Sequence, residues 1–280
     1  MSEVVQSREA GRHLLRFDRV DRTLHGFLML SFLGLAFTGM PLLFSDAPWA
    51  ARLARALGGF TVTHVLHRVF ATIMIVVFLG HAGRLVRRVA VRKEYSIFWG
   101  PTSMVPQPRD LTEMLQHVRW FLGYGQRPVF DRYTYWEKFD YWAVFWGMAI
   151  IGGSGLMLWF PEVFARVLPG WVFNIALLVH GEEALLAVGF IFTIHFFNSH
   201  LRPEKFPMDM VIFTGRVTER ELREERPAEY ARLASAPGRL RDAGAPSRRV
   251  WLAGRVIGSI ALVVGLALVA LILYALISQP

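Results

Sequence analysis

The chain of 280 residues contains no cysteine. That absence excludes disulfides, iron–sulfur clusters, thiolate zinc sites and the C-x-x-C-H attachment of c-type haem. Charge is also scarce, at 19% of residues, and the mean hydropathy is +0.36. A chain this apolar is not intrinsically disordered, and it does not read as an ordinary soluble globule. Signatures of nucleotide binding and hydrolysis are missing as well. Gly152–Gly153–Ser154–Gly155 sits inside an apolar run rather than after a strand, and no Gly-x-Ser-x-Gly elbow or catalytic triad stands out. Residues 1–23 are polar and arginine-rich, unlike a cleavable signal peptide, so the first apolar run is expected to serve as its own anchor.

What the chain has in abundance is apolar runs long enough to span a bilayer, which takes about 20 residues each. Five are present, at 24–44, 63–86, 139–160, 172–197 and 250–277. The 9 Trp and 22 Phe fit repeated passage through membrane interfaces. The expected fold is an all-α integral membrane protein, with a four-helix bundle over 24–215 and a fifth C-terminal helix over 250–280. Most of the 31 Lys and Arg lie before the first span, between spans two and three, or between four and five. The other connections hold only Arg52, Arg55 and Arg166. The positive-inside rule then places residues 1–23, the loop 91–138 and the segment 216–249 in the cytoplasm, and Pro280 on the periplasmic side of a bacterial inner membrane. The net charge of +9 is therefore topological and does not point to nucleic acid. Within 91–138 the prolines and the run Tyr133, Tyr135, Trp136 read as an ordered loop with a short interfacial helix near residues 110–122. Residues 216–249 read as a short solvated helix followed by a flexible linker.

The informative residues are the nine histidines. His25, His67, His81, His180, His195 and His200 lie inside or at the ends of spans one, two and four, where an imidazole is expensive and marks a functional site. On span two, His67 and His81 are separated by about 21 Å along the axis and about 40° in azimuth. On span four, His180 and His195 are separated by about 22 Å and about 60°. Each helix thus offers one imidazole near each membrane surface on broadly one face, and His25 joins the cytoplasmic level. The pattern supplies ligands for two stacked metal centres in a four-helix bundle, and haem iron suits pairs of neutral imidazoles. Zinc and di-iron carboxylate sites fit poorly, because no Glu-x-x-His pair occurs on facing helices. His64 and His67 form an H-x-x-H, of which His67 lies deeper and His64 is expected at the interface. Gly34, Gly39, Gly152, Gly153 and Gly155 would let a flat macrocycle, or a neighbouring helix, approach the backbone. Arg68, Arg22 and Arg84 are candidates for haem propionates. Glu182 and Glu183 could orient His180 or carry quinol protons.

The runs Arg22–Thr23–Leu24–His25, Leu66–His67–Arg68, Leu178–Val179–His180 and Ile194–His195 resemble the cytochrome b subunits of formate dehydrogenase and nickel–iron hydrogenase, a cytochrome b561-like family. The resemblance covers about residues 16–217, with the first four spans in order. Segments 133–145 and 195–216 resemble a subgroup with a longer tail. It implies an outer haem held by His67 and His180, and a cytoplasmic-side haem held by His25 and His195 beside a quinone. This chain departs from the family in three respects. The span-four histidine spacing is one residue longer than in the formate dehydrogenase subunit, His81 and His200 are additional candidates, and the fifth span lies outside the family's core. Two further pairings stay open, one of His67–His180 with His81–His195, and one with three haems in which His25 pairs with His200.

The expected function is that of a dihaem membrane cytochrome b carrying electrons between a quinone/quinol pool, menaquinone or ubiquinone, and a partner redox subunit. That partner would be a multihaem cytochrome c, an iron–sulfur subunit or a molybdenum or nickel enzyme subunit. Such a chain is an electron-transfer component of an oxidoreductase complex rather than a complete enzyme. The competing reading is a transporter or proton-conducting subunit that uses the intramembrane His and Glu residues as a relay.

Overall fold

The computed structural model describes residues 11–236 and 238–278. The protein is almost entirely helical, and five of its helices are long and apolar enough to cross a membrane. These are α1 (Arg19–Leu43), α3 (Phe60–Ala90), α5 (Tyr135–Trp159), α6 (Trp171–Leu201) and α9 (Arg248–Ser278). Each overruns the apolar stretch that announces it, because polar end residues complete the backbone ladder beyond the hydrocarbon limit. The connection between α1 and α3 contains the short helix α2 (Pro48–Ala56), which opens with proline at its first turn and buries Trp49, Ala50 and Ala54. Between α3 and α5 lies α4 (Pro108–Phe121), started by a capping box in which Gln107 and Asp110 exchange hydrogen bonds.

Two compact units divide the chain. The first gathers residues 1–22, 84–143 and 210–252. Its strands β1 (His13–Leu15) and β2 (Arg216–Thr218) pair antiparallel, and α7 (Glu219–Glu225) and α8 (Pro227–Ala234) follow directly. Leu14, Val211, Val217 and Leu222 form its apolar centre. Segment 216–249 is thus not a solvated helix and linker. Leu14 bridges to Asp242, and Glu229 is 1% exposed between Arg16 at 2.6 Å and Arg132 at 3.0 Å. Mixed charge, which read as solvation in the sequence, here becomes internal ion pairing among three separate pieces of chain. Arg226 with Glu137 and Arg232 with Asp131 extend the same network, at 2.8 and 2.7 Å.

The second unit holds residues 23–83, 144–209 and 253–280. Its apolar core joins Ala36, Met40 and Phe44 of α1, Trp49 and Ala50 of α2, Val188, Phe192 and Phe196 of α6, and Leu268, Ile272 and Ala275 of α9. The buried stripe of α9 runs Gly254, Gly258, Ala261, Gly265, Leu268, Ile272, Ala275. The steps alternate four and three residues, the seam of a left-handed helix pair built from small side chains. A Cβ on Gly265 would fall 2.5 Å from the Phe192 ring and 2.8 Å from that of Phe196. The fifth helix is therefore part of this core.

Candidate functional site

Two histidines from different helices meet inside the second unit. His67 on α3 and His180 on α6 have ring centroids 6.3 Å apart and ring planes at 84°. Neither ring is free to turn. His67 Nδ1 lies 2.9 Å from Thr38 Oγ1 on α1. That hydroxyl donates its own proton to the Gly34 carbonyl at 2.7 Å, so it accepts from the His67 Nδ1–H. His180 Nδ1 donates to the Ile151 carbonyl of α5 at 3.0 Å, with Ser154 Oγ 3.3 Å away. The hydrogen-bond network thereby assigns both imidazoles to the Nδ1–H tautomer and leaves each Nε2 with a lone pair.

Glycine gives each ring its place. A Cβ on Gly39 would sit 3.0 Å from His67 Cε1, and one on Gly155 would sit 2.9 Å from His180 Cε1. The same device occurs twice, Thr38–Gly39 on α1 for one imidazole and Ser154–Gly155 on α5 for the other. In each pair the hydroxyl approaches Nδ1 and the glycine clears Cε1. Gly34 has a different task, since its Cβ would strike the Phe70 ring at 2.4 Å, and Gly153 faces open space. Thr38 and Ser154 were not singled out in the sequence. Their signal is a hydroxyl residue placed directly before a glycine within an apolar run.

The donor set narrows what could bind here. Two neutral imidazoles from different helices, each with Nδ1 engaged and Nε2 left as an acceptor, are the kind of donor pair that would hold a haem iron. Among the described residues no group of three or more His, Cys, Asp or Glu side chains could hold a bare metal ion. A metal between His67 and His180 would need its remaining ligands from its own organic ring, which a porphyrin provides. The residues present therefore fit haem.

A second group forms further along α6. His25 on α1 lies near His195 and His200 of α6. Straight α-helical geometry would put His195 and His200 about 140° apart, with His200 near the end of its span. In the structure the helix continues to Leu201, and both Ile191–His195 and Phe197–Leu201 are π-helical turns. Bonding from residue i to i+5 brings residues five apart toward one face. His200 is accordingly buried, and its Nδ1 has no hydrogen-bond partner among the described residues. His81 packs edge-on against Phe145 of α5 at 6.3 Å.

The remaining candidates have distinct surroundings. Arg68 stacks over Trp159 at 5.5 Å. Arg84 pairs with Asp18 at 2.9 Å and Asp21 at 2.6 Å. The Arg22 side chain lies beneath Gly215, and its Nε is buried without a hydrogen-bond partner among the described residues. Glu183 accepts from Trp146 Nε1 at 3.3 Å, Glu182 is exposed, and exposed His64 bonds the Phe60 carbonyl. No protein-family model and no curated protein matches this chain. Its reading rests on these residues. Of the histidines outside the six, His13 and His117 lie in the first unit, where His117 is stacked between Trp120 and Trp136 with Nδ1 3.1 Å from the Tyr135 hydroxyl.

Proposed function

We propose that the chain is a membrane cytochrome b that carries electrons across the bilayer between a quinone/quinol pool and a partner redox subunit. One observation carries the reading, the meeting of His67 and His180 with ring centroids 6.3 Å apart and both Nδ1 atoms already engaged. Resemblance to the cytochrome b subunits of formate dehydrogenase and nickel–iron hydrogenase supplies the rest. On this reading His67 and His180 hold one haem b toward the periplasm, and His25 and His195 hold a second toward the cytoplasm beside the quinone. The N-terminus is then cytoplasmic and the C-terminus periplasmic.

Bound haem supplies a one-electron couple. The chain's own residues do the remaining work. Thr38 and the Ile151 carbonyl fix the imidazole tautomers and raise the basicity of the Nε2 lone pairs. Gly39 and Gly155 set the ring positions. His200 stands beside the second pair as a third imidazole. The reading is tested by a reduced-minus-oxidised optical spectrum of the purified full chain with haem-to-protein stoichiometry. A b-type band with two haems per chain is expected. A colourless protein would overturn the proposal and favour a proton relay through the same histidines and Glu182 or Glu183.

A further inference from the structure

Helix α4 is built inside out for a soluble element. At about 100° per residue its side chains fall into three arcs. Leu111, Met114, Leu115, Val118, Phe121 and Leu122 occupy one arc about 120° wide, and all are exposed, Phe121 by 68% and Leu122 by 67%. Thr112, Gln116 and Arg119 form an exposed polar arc next to it. The arc turned inward is the polar one, with Asp110, Glu113 and His117. Asp110 receives two hydrogen bonds from the buried Lys138 ammonium at 2.8 and 2.9 Å, and His117 is held between two indoles. These inward bonds fix the rotation of the helix, so the apolar arc cannot turn in.

We infer that the apolar arc of α4 docks into the acyl boundary of the bilayer, with anionic lipid headgroups along its polar flank. Two observations select a lipid surface as the occupant. The helix is tethered between α3, which ends at Ala90, and α5, which starts at Tyr135, two helices suited to crossing a membrane. The segment that carries α4 thus begins and ends at the chain's own candidate membrane crossings. Cationic side chains also accompany it, Arg119 on α4, Arg127 shortly after it and Lys93 in the preceding segment, where Tyr95, Phe98 and Trp99 are exposed. A surface helix of this kind gains from apolar burial plus attraction to anionic lipid, and interfacial aromatics belong at the same depth.

The absence of cysteine makes the test direct. Single variants Leu115→Cys, Val118→Cys, Thr112→Cys and Gln116→Cys of the full chain carry an environment-sensitive fluorophore in vesicles containing anionic phospholipid. A nitroxide on the acyl chain near the headgroup is expected to quench labels at 115 and 118 severalfold more than those at 112 and 116. A water-soluble quencher should show the reverse order. Equal aqueous quenching at all four sites would overturn the inference. Protection of 115 and 118 from both quenchers would also overturn it, and would mean that a protein partner or a second copy covers the arc. All four positions are exposed, and Phe121→Cys is a fifth site if one label disturbs folding.

Discussion

Gly155 is the position where the account of the His67–His180 site is most exposed to refutation. A methyl group added there would sit 2.9 Å from His180 Cε1, closer than carbon atoms normally approach. The imidazole has no room to yield, since its Nδ1 is bonded to the Ile151 carbonyl at 3.0 Å. Overpacking of this kind costs about 1–3 kcal/mol. Taken up as displacement of the ring, that is a loss of about 5- to 150-fold in affinity for the group bound between the two histidines. Gly153, two residues earlier on α5, provides the matched control, because a Cβ there meets nothing within 4 Å. Gly153→Ala should be silent or should gain up to about 1 kcal/mol of helix stability. Gly39→Ala, with its contact at 3.0 Å, should fall between the two or near Gly155→Ala. The assay is haem content per chain after purification, with the haem dissociation rate measured by transfer to a haem-free acceptor. If Gly155→Ala and Gly153→Ala retain haem equally, Gly155 does not set the position of His180 and the argument fails.

Three other perturbations probe separate parts of the structure. Thr38→Val removes the hydroxyl that accepts from His67 Nδ1 at 2.9 Å and should weaken haem retention by about 10- to 100-fold; Ser154→Ala should do much less, because Ile151 still holds His180. Glu229→Gln leaves Arg16 and Arg132 buried beside a neutral amide and should cost the first unit about 3–5 kcal/mol, read as faster proteolysis between α7 and α8. Burial pushes the Glu229 carboxyl up, but Arg16 and Arg132 outweigh it and hold the group below the ordinary range. Its stabilisation is complete above about pH 5 and is lost as pH falls toward and through the depressed folded value, so wild type should turn protease-sensitive in acid while Glu229→Gln shows a flatter profile. Gly265→Ala inserts a carbon 2.5 Å from the Phe192 ring and should lower thermal stability in detergent by about 1–3 kcal/mol, whereas Val263→Ala on the exposed face should change little.

Much of this architecture is legible in the sequence because a bilayer-spanning run leaves few alternatives. The five helices correspond to the five apolar stretches, and residues near the ends such as Arg19 and Arg87 extend them. The histidine positions are equally plain. Their environment is harder to read. Thr38 and Ser154 look like ordinary small residues in an apolar run, and only the structure shows that they face Nδ1 atoms on other helices. The place of His200 depends on two π-turns, which straight helical phasing cannot anticipate. Segment 216–249 departs from a solvated linker for a different reason. Its charges look solvated one by one, yet Glu229 is matched by Arg16 and Arg132, which are remote in sequence. Pairing between distant segments has no local periodicity to reveal it.

The central claim is that His67 and His180 share a single haem iron. Haem stoichiometry and the b-type difference spectrum should therefore be measured for His67→Ala, His180→Ala and the double variant. The account predicts that each single variant loses the same one haem, with the same midpoint potential, and that the double variant loses no more. Loss of two different haems by the two single variants, or full haem content in either, would contradict it.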